Sequence, residues 1–239
     1  MKTVLFRAIC TSVLILASML PLAAELVYHN DFEGAVGTEW SSTATDMTPV
    51  GARRFLGQFS NNAVGLTLAN LPSHTDVTVS LDLFIISSWD GNCEVNLHGG
   101  HCGPDIWNLD VRGGPSLLHT TFSNIIDMPV GWSQSQAYPG SFPTSDYPAK
   151  TGAAESNTLG YMSMIGLYGD SVYTLSFTVP HIEDSVTFDF SAEGLQGIED
   201  ESWGLDNVSV SVTPVPEPSG LLVLMCGLGG LGLARRRRH

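Results

Sequence analysis

Between residues 25 and 213 apolar and polar residues alternate with a period of two. Val77, Val79, Leu81 and Leu83 alternate with Asp76, Thr78, Ser80 and Asp82, and Tyr173, Leu175, Phe177 and Val179 with Thr174, Ser176 and Thr178. Val186, Phe188 and Phe190 alternate with Thr187 and Asp189, and Val208, Val210 and Val212 with Ser209 and Ser211. Successive side chains of a strand point to opposite faces, so this pattern predicts strands that are apolar toward a core and polar toward solvent. Shorter apolar runs predict further strands over 26–29, 55–59, 64–68, 106–111, 117–122 and 159–168. Asn61-Asn62, Asp90-Gly91, Gly113-Gly114 and Gly169-Asp170 supply turns between strands. No long amphipathic helix interrupts the series. Many short strands without helices predict an all-β fold, an antiparallel β-sandwich of jelly-roll type. The stretch 129–152, rich in Pro, Ser, Gly and aromatics, breaks the rhythm and predicts a long ordered loop over the sheet. Between Leu205 and Val208 the alternation slips by one residue, as at a β-bulge that would re-aim Asp206.

The ends follow other patterns. In 1–24, Lys2 and Arg7 precede an apolar run from Ala8 to Leu20 and a small-residue stretch, Pro21-Leu22-Ala23-Ala24. A positive start, an apolar middle and a small-residue cleavage site predict a signal peptide, helical before its removal. Residues 25–213 then form the β-sandwich domain. Within 214–239, Val215-Pro216-Glu217-Pro218 leads into an apolar run from Ser219 to Ala234 and a cluster, Arg235 to Arg238. Four arginines beside an apolar segment hold that end in the cytoplasm, so a single transmembrane helix is expected. At 1.5 Å per residue the run reaches about 24 Å, short of the roughly 30 Å hydrocarbon core. Its glycines weaken it further as a permanent anchor.

Val-Pro-Glu-Pro, a Gly-rich apolar helix and a terminal Arg cluster resemble the PEP-CTERM sorting signal. The resemblance covers Val215 to His239. It implies that Pro216, Glu217 and Pro218 are read by an exosortase after export through the Sec machinery. It also implies a Gram-negative bacterium, an inner-membrane intermediate, and a final place at the cell surface or in the extracellular polysaccharide matrix or biofilm.

Charge narrows the function classes. The chain of 239 residues has a formal net charge of −14. From Glu25 to Ser219, only Arg53, Arg54, Arg112 and Lys150 stand against all 24 acidic residues. Such a surface repels phosphate backbones, which excludes nucleic acid as a partner and favours divalent cations.

Candidate chemistry follows from spacing. Cys10 and Cys226 lie in the terminal segments, leaving Cys93 and Cys102. An oxidising compartment favours a disulfide between them. The alternative is a zinc shell completed by His98 and His101. Asp90, Asn92 and Glu94 stand at alternate positions, as at the start of a calcium loop, with Asp105 as a further ligand. Trp89, Trp107, Trp132 and Tyr138 are candidates for stacking on sugar faces. No Gly-x-Ser-x-Gly, His-Glu-x-x-His or phosphate-binding loop is present, so no catalytic residue is assigned and no enzyme is expected.

Asn30-Asp31-Phe32-Glu33 at the start and Glu201-Ser202-Trp203-Gly204-Leu205-Asp206-Asn207-Val208 at the end resemble the first and last strands of MAM domains and related carbohydrate-binding jelly rolls. That resemblance implies neighbouring first and last strands, with Asp31, Glu33 and Asp206 around a structural calcium ion. The expected function is that of a non-catalytic surface or matrix protein. A carbohydrate-binding module is the alternative, and a secreted glycan hydrolase the second.

Overall fold

Alternation of apolar and polar residues builds the long strands, and pairing them in register stacks their apolar faces. The computed structural model describes residues 23–94, 102–126, 134–162 and 169–215. Residues 1–22 of the expected signal peptide, the expected sorting motif Pro216, Glu217 and Pro218, the apolar C-terminal run, Trp132, His98 and His101 lie outside the described residues.

The strands are β1 (Glu25–Asn30), β2 (Thr45–Met47), β3 (Arg54–Phe59), β4 (Ala63–Ala69), β5 (His74–Ser87), β6 (Ile106–Val111), β7 (Ser116–Thr121), β8 (Ser135–Gln136), β9 (Tyr147–Pro148), β10 (Glu155–Ser156), β11 (Asp170–Pro180), β12 (Ser185–Glu193) and β13 (Glu201–Pro214). The larger sheet runs β10-β11-β5-β13-β3-β2, with β1 also on β13. The smaller runs β4-β12-β6-β7, and β8 pairs with β9. All the pairs are antiparallel. The described residues contain no helix. This is the expected all-β sandwich of jelly-roll type. The first and last strands are neighbours, Asn30 opposite Val208. The slip in β13 is a register shift between Asp206 and Ser209 against β5.

Two faces meet in the core. Val77, Val79, Leu81, Leu83 and Ile85 of β5 and Val208, Val210 and Val212 of β13 face Leu66, Trp107, Leu109, Phe188 and Phe190 of the smaller sheet, all buried. Burying each large side chain contributes about 1.5–3 kcal/mol. The outer face of the larger sheet is divided. At one end Phe55, Phe84, Ile86, Leu159 and Val172 form a second apolar cluster. At the other, hydroxyls pair across strands, with Thr78 2.8 Å from Thr178 and Ser80 2.8 Å from Ser176. The strand expected over 159–168 is not one where it is described. Leu159 through Tyr161 instead turn their backbone amides onto the Asp170 carboxylate at 3.0–3.1 Å.

Candidate functional site

Three loops meet at one end of the sandwich. Asp90 follows β5, Asp105 immediately precedes β6, and Glu201 opens β13. Their carboxylate oxygens lie within 4.8 Å of one another. Asp105 and Glu201 are both 0% exposed, while Asp90 is half-buried. Local chemistry holds each one. Asp105 Oδ2 accepts the amides of Asp90 and Gly91, the latter at 3.2 Å. Glu201 Oε2 accepts the amide of Gln196 at 2.6 Å, and the Gln196 side chain reaches Asp90 Oδ2 at 3.4 Å. The Cys93–Cys102 disulfide ties the Asp90 and Asp105 loops, with Cα atoms 5.7 Å apart. Glycines allow the close approach: Gly91 and Gly194 have φ of 67° and 86°. A Cβ at Gly91 would lie 2.1 Å from the Ser135 carbonyl oxygen, and one at Gly194 2.0 Å from that of Pro104.

The electrostatics are one-sided. Burial, reinforced by the neighbouring Asp200 carboxylate, pushes Asp90 up to about 7. Burial and Asp90 push Glu201 up to about 8. Asp105 is held well above the usual carboxylate range, by burial first and by Glu201 second. Desolvation and like charge both disfavour ionisation unless a cation joins the group. The arrangement could hold a metal ion.

Only part of this site corresponds to the loop expected from the sequence. Asp90 and Asp105 come together, but Asn92 does not join them. Its amide donates to the Ser145 carbonyl at 3.1 Å, and its carbonyl accepts from the Thr121 hydroxyl. Glu94 is exposed. The third carboxylate is Glu201, which sequence reasoning missed. A signal was present: Glu201 is in phase with Trp203 and Leu205, and Asp105 with Trp107, Leu109 and Val111. Glu201 opens its strand, and Asp105 adjoins β6, each in phase with core-facing residues. The zinc alternative is overturned, because Cys93 and Cys102 are joined to each other.

The three acids expected to hold calcium at the chain ends each have partners within the protein. Asp31 Oδ1 accepts the Glu33 amide at 3.2 Å, and Glu33 Oε1 accepts the Arg54 amide at 3.0 Å. Asp206 faces Arg53 at 3.6 Å. The sugar-stacking reading is also corrected. Trp89 and Trp107 are 0% exposed. The half-buried Tyr138 ring packs on Phe122 and Tyr173 at 5.1 and 5.2 Å. Trp89 and Trp107 fill the core and offer no face to a sugar.

A groove of about 380 Å³ lies elsewhere, beside β7 and reaching Phe177 of β11. Leu117, Phe177 and Pro139 give its lining apolar surface, and His119, Gly140 and Ser141 polar groups. The His119 ring meets Phe142 edge-on at 6.3 Å, and its Nδ1 lies 2.6 Å from Asn108 Oδ1. Among the described residues no acidic side chain lines it.

No protein-family model and no curated protein sequence matches the chain. Among solved structures it is similar to a carbohydrate binding module from Cellvibrio mixtus lichenase 5A, at 14% identity over 79% of this chain and 98% of that one, TM-score 0.36. It is similar to the CBM22-1 xylan-binding domain of Paenibacillus barcinonensis Xyn10C, at 10% identity over 82% and 99%, TM-score 0.38. It is also similar to the K3 cleaved adhesin domain of Lys-gingipain from Porphyromonas gingivalis, at 12% identity over 78% and 99%, TM-score 0.36. Scores of this size assign no function.

Proposed function

We propose that the sandwich is a non-catalytic module that binds neutral polysaccharide at the surface of a Gram-negative cell. The observation that carries this reading is the groove between β7 and Phe177. A partly exposed aromatic ring with hydroxyl, imidazole and backbone groups in the same lining suits a sugar, which has an apolar face and a hydroxylated edge. An acidic domain disfavours acidic polymers and leaves neutral ones as the ligand class.

Binding without cleavage follows from where the carboxylates sit. Glycoside hydrolysis needs two carboxyl groups flanking the scissile bond. Among the described residues the groove has no acid in its lining. Asp105 and Glu201, which are close enough, are sealed from any chain of sugars.

Export completes the proposal: Sec-dependent passage, sorting by an exosortase at the Pro-Glu-Pro motif, and retention in the polysaccharide layer. The Cys93–Cys102 disulfide supports an oxidising destination. Intact mass of protein recovered from the surface or medium tests it. Peptides from Leu221 to Arg235 in most molecules would refute exosortase processing.

Affinity electrophoresis through gels containing neutral polysaccharides tests the binding. Retardation of the wild type, abolished in Phe177→Ala and weakened in His119→Ala, is the expected result. No retardation by any neutral glycan, or variants retarded like the wild type, would overturn the groove as the site.

A further inference from the structure

We propose that Asp90, Asp105 and Glu201 form a calcium site that locks three loops of the sandwich together. Geometry carries the inference. Asp105 Oδ1 and Glu201 Oε1 are buried and have no hydrogen-bond partner. Buried polar atoms are rarely left unpaired, and an orphaned carboxylate oxygen is a severe case. Two such oxygens in one cluster share a missing partner, either a proton held between the carboxyls or a cation.

Among the described residues no Lys or Arg side chain supplies that partner. These side chains are Arg53, Arg54, Arg112 and Lys150. Arg53 serves Glu155 and Asp206, and Arg54 serves Thr45 and the Gly34 carbonyl. Arg112 serves Asp189, and Lys150 serves Asn157 and the Asp170 carbonyl. With these four engaged elsewhere, a cation from solution can reach the group past the half-buried Asp90.

Ligand type selects the ion. The set is all carboxylate oxygen, which suits hard cations over zinc or copper. Two oxygens on one calcium at 2.3–2.6 Å can stand up to about 5 Å apart, which accommodates the 4.8 Å span. Magnesium needs shorter, near-octahedral bonds and keeps its waters, a poor match for a site walled by buried Asp105 and Glu201. The role is structural. Bound calcium joins the loop after β5, the segment entering β6 and the start of β13, so it couples the two sheets at one end.

Thermal melts of the full domain in EDTA, calcium and magnesium test this, together with terbium luminescence. Trp89, Trp107 and Trp203 lie within two residues of the three acids along the chain, so bound terbium should emit on tryptophan excitation. Calcium at about a hundredfold over Kd should raise Tm by roughly 5–10 °C and quench the terbium signal. Glu201→Gln should abolish both responses. In EDTA this variant should melt no lower than the wild type, because the amide matches the protonated carboxyl in size, can still accept from Gln196 and can donate toward Asp105. That separates loss of metal from loss of fold. Glu33→Gln, at the chain ends, should keep the full calcium response. A wild-type melt indifferent to calcium and chelator would overturn the proposal. So would a calcium shift that survives Glu201→Gln, or an equal response to magnesium.

Discussion

Arg53 Nη2 lies 3.6 Å from Asp206 Oδ2, so an arginine stands where the chain ends could have held a metal. Asp206 is buried, and burial pushes it up to about 6 against the opposing pull of Arg53. Arg53 also pairs with Glu155 at 3.0 Å and covers the Phe84 ring at 4.7 Å. Arg53→Met should therefore destabilise the domain by about 2 kcal/mol in urea unfolding, because it strands a buried charge. Adding Asp206→Asn should recover part of the loss. A change within about 0.5 kcal/mol for Arg53→Met would contradict the pairing.

His74 and His181 predict an acid-sensitive end of the sandwich. Their rings stack at 5.1 Å, His74 Nε2 is 2.8 Å from His181 Nδ1, and His74 Nδ1 is 2.6 Å from the Pro72 carbonyl. Burial, and then His74, lower the His181 pKa, with Glu183 acting in the opposite sense. The folded state thus holds His181 neutral while the unfolded chain binds a proton below about 6.5. Stability is present above that pH and is lost as pH falls through it. The difference between wild type and His181→Gln, followed by denaturant midpoints from pH 7.5 to 5, should shrink as pH falls.

The acidic triad predicts the reverse trend in metal-free protein. Asp90 and Glu201 keep protons up to about 7 and 8, whereas the unfolded chain releases them near 4. The folded state binds more protons across that window, so stability in EDTA should fall as pH rises from about 5 to 8. Saturating calcium should remove the decline. Parallel Tm profiles with and without calcium would contradict this.

Reduction of Cys93–Cys102 should cost about 2–3 kcal/mol, the entropy expected for so short a closed loop. Because the bridge joins the loops of Asp90 and Asp105, reduction should also weaken the calcium response. Unfolding of the Cys93→Ser/Cys102→Ser variant, with and without calcium, measures both.

Trp107→Ala should lose about 3–5 kcal/mol, as for an aromatic removed from a packed core. Phe177→Ala, at the groove, should lose much less. Comparable losses in the two variants would mean that Phe177 is a core residue and the groove is closed.

How much of this was legible is best judged from particular residues. Strand phase is local: each side chain alternates with the next, so the sequence placed Val77 through Leu83, Tyr173 through Val179 and Val208 through Val212 on core and solvent faces. The same arithmetic located the bulge after Asp206, and chain context paired Cys93 with Cys102. The burial of Trp107 was readable too, since it is in phase with Leu109 and Val111, but it was read as a surface ring.

Partners were not legible. Glu201 and Asp105 are each in phase with core-facing residues, but they adjoin different sheets and are far apart in sequence. Only the packing of β13's sheet onto β6's sheet brings their carboxylates within reach of one another. Likewise Arg53 reaches Asp206 only because β3 and β13 pair. Period two fixes which face a residue takes. Which residue it meets there is decided by long-range strand pairing and sheet stacking, because those contacts join segments that no local pattern connects.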